Sequence, residues 1–144
     1  MTDAWSGIAR EFLHNNATGP RLLAVSGAEE DRSRRAADEL AAALAEQGVA
    51  VERTHADATE AADLRERVVA PFRADRSADR VLVVSGPDGL LSDEVRGLWH
   101  FTLWNSAGDE PTHPDAASLV DMTDPARPYR RYADSCGTAE CCSD

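Results

Sequence analysis

The chain has 144 residues, of which 42% are hydrophobic, enough for one domain with a substantial core. Its formal net charge is −11, from 26 acidic against 15 basic side chains, which argues against nonspecific binding to nucleic acid or to an anionic membrane surface. All 15 cations are arginine, so any step that needs a lysine ammonium is excluded.

The opening stretch MTDAWSGIAREFL lacks the basic flank and apolar core of a signal peptide. No apolar run approaches the roughly 18 residues of a membrane span. The expectation is a cytoplasmic protein with reduced cysteines. Residues 4–14 read as a short amphipathic helix with Trp5, Ile8, Phe12 and Leu13 on one side, ended by Asn15, Asn16 and Gly19-Pro20. Residues 21–26 are a short apolar strand. Asp31 or Ser33 is the expected cap of a helix running to about Gln47, with Leu40 and Leu44 inward and Gly48 as its stop. Residues 49–55 read as a second strand. Residues 60–70 form a helix capped by Asp57 or Thr59, which Pro71 is expected to stop or bend. The run DRVLVVSG is the strongest strand, a β-branched stretch buried on both faces. A short helix near 92–98 and the strands HFTLWN and ASLVDMT follow, and from Pro125 onward the chain reads as polar loop.

Alternating strands and helices predict a single three-layer α/β/α domain with a mostly parallel five-stranded sheet. The expected division is an N-terminal helix over 1–19, the α/β domain over 20–125 and a polar tail over 126–144. Ligands of such sheets bind beyond the carboxyl ends of the strands, here Ser26-Gly27, His55 to Asp57, Ser85-Gly86 and Asn105-Ser106.

From about residue 20 to 124 the chain resembles the uridine kinase branch of the P-loop nucleoside kinases. The segment RLLAVSGAEEDRSRRAADELAAALAEQGVAVERTHADAT is similar to that family's first strand, phosphate loop, helix and second strand. The segment ADRVLVVSGPDGLLSDEVRGLWHFTLW resembles the stretch in which a family strand ends in an acidic residue and glycine. The resemblance implies a P-loop-kinase-like fold and, in an intact member, ATP with magnesium.

Four parts of that machinery are altered. The family's phosphate loop is glycine, four residues, glycine, lysine, then serine or threonine. Counted from Gly27, the matching positions hold Arg32, Ser33 and Arg34. The loop works by aiming successive backbone N–H groups and a lysine at the phosphates. Arg34 or Arg35 could reach a phosphate, but a guanidinium does not replace a compact ammonium without rearrangement. Glu29, Glu30 and Asp31 would repel a triphosphate; as residues of a helix start they instead satisfy N–H groups and complement the helix dipole. The acidic residue expected to position magnesium is Ser85. Asp57 falls near a family carboxylate that handles the substrate hydroxyl, and serves equally as a helix cap. The lid is reduced to NSAGDEPTHPDA, which would leave water in a transfer site.

The tail ADSCGTAECCSD holds all three cysteines, Cys136, Cys141 and Cys142, in a Cys-x4-Cys-Cys spacing that is no zinc ribbon. Adjacent thiolates suit Cu(I), a thiophilic metalloid, or a disulfide; the plain alternative is unengaged thiols on a short terminus. His14, His55, His100 and His113 show no metal spacing, although His55 near Asp57 can contribute to a polar cleft. Trp5, Trp99 and Trp104 read as core or subunit contacts, and RPYRRY as a basic, aromatic patch that folds back or docks on a partner.

The expected function is a non-catalytic, uridine-kinase-like binding or interaction protein presenting a cysteine tail. It takes no ATP or magnesium, acts on a protein partner or on itself, and avoids nucleic acid and membrane. The alternatives are a residual nucleotide or nucleoside binder or weak kinase, and a thiol-based metal, metalloid or redox protein.

Overall fold

A computed structural model of the chain describes residues 4–16, 18–56, 61–74, 79–108, 110, 116–124 and 128–131. Helix α1 (Ala4–Asn15) leads into β1 (Pro20–Gly27), α2 (Glu30–Glu46) and β2 (Ala50–His55). A helical segment follows in three pieces: α3 (Ala61–Leu64), a π turn (Arg65–Val69) and α4 (Ala70–Arg73). Strand β3 (Arg80–Gly86) is followed by 3₁₀ turns at Asp88–Leu91 and Arg96–Leu98, then β4 (Phe101–Ser106), β5 (Ser118–Asp121) and β6 (Tyr129–Arg131). No helix among the described residues is long and apolar enough to cross a membrane.

The strands form one sheet in the order β2-β3-β1-β4-β5-β6. The first five are parallel, as the alternating pattern predicts, and β6 joins antiparallel to β5 with Val120 opposite Arg130. The sixth strand corrects the reading of everything after Pro125 as loop. Three residues pairing through their backbone leave no side-chain pattern to read.

Side-chain alternation along β1, β3 and β4 divides the core between the two faces of the sheet. Leu23, Val25, Val81, Val83 and Leu103 meet α1 and α2, with Ile8, Phe12, Leu40 and Leu44 among the contacts. Leu22, Ala24, Leu82, Val84 and Trp104 meet the 61–73 helical segment and the 3₁₀ turns through Leu64, Phe72, Leu90 and Trp99. The three-layer arrangement follows. Strands buried on both faces need a cover on each, and Phe12 against Phe101, ring centres 5.8 Å apart, ties α1 to the first cover.

Two helix ends differ from the sequence reading. The N-cap of α2 is Glu29, not Asp31 or Ser33, and its side chain makes no capping bond. The carbonyl of Glu29 instead accepts from Ser33 N–H at 3.0 Å. Pro71 does not stop its helix. It sits in the first turn of α4, just past the π turn in which Ala70 N–H reaches back to the Arg65 carbonyl. A wider turn relieves the clash of a proline ring with the preceding carbonyls, so the chain stays helical through Arg73. At the other end of α2, Gly48 stops the helix as read, with φ +90 and its N–H on the Ala45 carbonyl.

Candidate functional site

The carboxyl end of β1 is where a phosphate loop would open. Only Ala28 and Glu29 separate Gly27 from the first residue of α2. Of the four residues between Gly27 and Arg32, Glu30 and Asp31 are already helical. An anion-binding nest alternates right- and left-handed residues so that neighbouring N–H groups converge. No described non-glycine residue has positive φ, and the described glycines that do are Gly19, Gly48 and Gly108. The turn is a direct strand-to-helix connection rather than a loop that wraps a phosphate.

The space beyond Gly27 is filled by Asn105 from the end of β4. A Cβ on Gly27 would lie 2.6 Å from Asn105 Nδ2 and 2.7 Å from Oδ1. The buried carboxamide is used on both sides. Nδ2 donates to the Ser26 carbonyl at 2.7 Å and to Ser33 Oγ at 2.9 Å. Oδ1 accepts from Arg32 Nε at 2.8 Å. The Nη2 of Arg32 pairs with the Glu110 carboxylate, whose Oε1 also accepts from Ala107 N–H at 3.2 Å. The Arg32 side chain is 11% exposed. The predicted loop residues Gly27, Arg32 and Ser33 are therefore brought together, in a network completed by Asn105 and Glu110.

Sequence reasoning placed Asn105 at a strand end facing the site. It missed Glu110, which stands in a turn-rich stretch with no pattern to single it out. It read Glu29, Glu30 and Asp31 as residues of a helix start, which is where they lie. These three carboxylates are exposed at the start of α2, and the anion on Arg32 is Glu110.

Arg34 points elsewhere. It lies 3.7 Å from Glu30, one turn away, and is half exposed. Glu30 also lies 3.4 Å from His55 Nε2, and His55 Nδ1 is 2.7 Å from Ser85 Oγ. The polar cleft at the ends of β2 and β3 thus consists of His55, Ser85 and Glu30, with Ser85 wholly buried. Asp57, His113, Cys136, Cys141 and Cys142 lie outside the described residues. Trp5, Trp99 and Trp104 are buried in the core, and Trp99 Nε1 donates to the Leu90 carbonyl at 2.8 Å. Among the described residues no group of three or more histidine, cysteine or acidic side chains could hold a metal ion.

At the amino end of β4, His100 Nδ1 accepts from Leu22 N–H at 3.1 Å, which only a neutral ring nitrogen can do. Partial burial, then the nearby charges of Arg73 and Arg21, hold the His100 pKa below its ordinary 6.5.

No protein-family model matches the chain, and no curated protein matches it. Among solved structures, a protein from Bacillus stearothermophilus described as a possible uridine kinase superposes with a TM-score of 0.59 at 13% identity, over 73% of this chain and 80% of that one. A second, from Silicibacter sp. TM1040 and described as a fructose transport system kinase, gives a TM-score of 0.48 at 18% identity over 75% and 76% of the two chains. Parallel five-strand core, two helical covers and the likeness to the first of these structures agree: the chain has the three-layer fold of the P-loop kinases.

Proposed function

We propose that this is a P-loop-kinase-like protein that does not transfer phosphoryl groups and works as a binding or interaction module. One observation carries the reading: Arg32, at the position of the second phosphate-loop glycine, spends its donors on Asn105 and Glu110 behind a two-residue turn. A phosphate entering there would have to displace a carboxylate and a buried carboxamide, and would find no nest of alternating right- and left-handed residues to receive it. Ser85 in place of the metal-positioning carboxylate supports the same reading, since a hydroxyl bound to His55 offers magnesium little.

The interaction belongs to the tail, in which Cys136, Cys141 and Cys142 meet a protein partner or a thiophilic metal while the α/β domain carries them. Calorimetric titration with ATP and magnesium, and with uridine, tests the first half; the expected result is no saturable heat, and a micromolar Kd or labelled uridine monophosphate would overturn it. Replacement of the three cysteines by serine tests the second. It is overturned if Cu(I), Zn(II) and As(III) all bind the triple variant as well as the parent, and a pull-down recovers the same protein with both.

A further inference from the structure

At the amino end of the sheet, both backbone groups of Leu22 bond to one residue. Its carbonyl accepts from the His100 backbone N–H at 2.8 Å, and its N–H donates to His100 Nδ1 at 3.1 Å. His100 stands one residue before β4, and the regular pairing of β1 with β4 starts with Leu23 beside Phe101. A side-chain nitrogen thus serves as the acceptor that a backbone carbonyl supplies elsewhere in a parallel ladder. Leu22 is fully buried, whereas His100 is exposed. Solvent protons therefore reach the acceptor, while water has no access to the donor it serves.

Protonation ends that bond. An imidazolium carries hydrogen on both nitrogens, so Nδ1 would face the Leu22 N–H donor to donor. The charged groups that act on the ring are both cations, Arg73 of α4 and Arg21 of β1. Both are tethered. Arg73 Nη2 donates to the Leu98 carbonyl at 3.0 Å. Arg21 donates to the carbonyls of Gly19 at 2.9 Å and Asn16 at 2.7 Å, and pairs with Asp79. With the arginines anchored, the charged ring is the part that moves.

We propose that His100 is an acid-released latch between β1 and the segment 96–100 that leads into β4. A proton on Nδ1 breaks the bond to Leu22 N–H, the ring turns out to solvent away from Arg73 and Arg21, and the segment parts from β1. The opening is local. Trp99 Nε1 remains on the Leu90 carbonyl, and the register from Leu23 beside Phe101 to Gly27 beside Asn105 holds the rest of the seam. Burial, then Arg73 and Arg21, keep the His100 pKa below 6.5, so the latch is closed at neutral pH and releases as pH falls through that lowered value. It shares no residue with the Arg32–Asn105–Glu110 network at the opposite end of the sheet, and stands or falls apart from the reading of that network.

The test is amide hydrogen exchange of the ¹⁵N-labelled full chain from about pH 7.5 to about pH 5, corrected for intrinsic exchange, alongside the ring nitrogen shifts of His100. At neutral pH the ring should carry its proton on Nε2. Protection of the Leu22 amide should fall at least about tenfold as His100 titrates, while Val25 and Val83 keep theirs. His100→Gln retains a carbonyl oxygen that accepts at every pH, and should hold Leu22 protection constant. The proposal is overturned if the neutral ring carries its proton on Nδ1, or if Leu22 protection does not change as His100 titrates. It is equally overturned if His100→Gln loses the protection as the parent does, or if Val25 and Val83 lose theirs in step with Leu22.

Discussion

Arg32 and Arg80 are the same side chain packed against opposite faces of one sheet, and their surroundings are opposite too. At the carboxyl end of β1, Arg32 is closed in by the chain's own acceptors, Asn105 and Glu110. At the amino end of β3, Arg80 is stacked and paired, yet its Nε–H has no acceptor among the described residues. The fold directs attention to the first place, because ligands of parallel sheets gather beyond the carboxyl ends. The unanswered donor lies at the second, shut off from solvent. A guanidinium is therefore informative only once its hydrogen bonds have been followed one by one.

The comparison breaks most severely at Gly27 and Asn105. Gly27→Ala drives a methyl group into a carboxamide that cannot swing aside without abandoning Ser26, Ser33 and Arg32. Asn105→Ala leaves the same three groups without their partner. Each should cost about 2–3 kcal/mol in urea unfolding. The double variant should cost less than the sum by about 1–2 kcal/mol, because the clash disappears with the side chain that causes it. Strict additivity would mean that the close approach is not what constrains Gly27.

Glu110→Gln is the next largest. It removes the charge from Arg32's partner and keeps the shape, and should cost about 1–2 kcal/mol, since the pair is mostly shielded from water. It also sharpens the contrast between the two arginines. If Glu110 merely covers a working phosphate site, the variant gains micromolar ATP affinity. With a two-residue turn and no nest, it should gain none.

Much of this was legible in the sequence. Val81 to Val84 and Leu22 to Val25 are runs that only a doubly covered strand buries, and Leu40 and Leu44 fix the inner face of α2. The departure of Arg32 and Ser33 from the phosphate-loop pattern was plain as well. The hidden features were three-dimensional. Glu110 meets Arg32 from 78 positions away, and local pattern carries no trace of such a pairing. Pro71 reads as a helix stop or bend, and the π turn through which the helix runs on to Arg73 has no sequence signature.

His100 tests the amino end of the sheet by pH. Its pKa is lowered by burial and by Arg73 and Arg21, so between that value and the ordinary 6.5 the unfolded chain binds more protons than the folded one. The His100 contribution is then fully present above about pH 6.5 and is lost as pH falls through the lowered value. Urea midpoints should drop between about pH 7 and pH 5, and the drop should shrink in His100→Gln, whose side chain does not titrate. An equal drop in parent and variant would assign the acid sensitivity to other groups.

The smallest effect is expected at Arg34, and its smallness is the point. Arg34 occupies the serine or threonine position of the phosphate-loop pattern, but its guanidinium is 48% exposed and 3.7 Å from Glu30. Exposed pairs one helical turn apart contribute about 0.3–0.5 kcal/mol and are screened by salt. Arg34→Ala should therefore shift the urea midpoint by no more than that, with the shift vanishing near 1 M salt. A loss several times larger, persisting in salt, would show that Arg34 is anchored like Arg32, and that the first turn of α2 holds a second buried cation available to an anion.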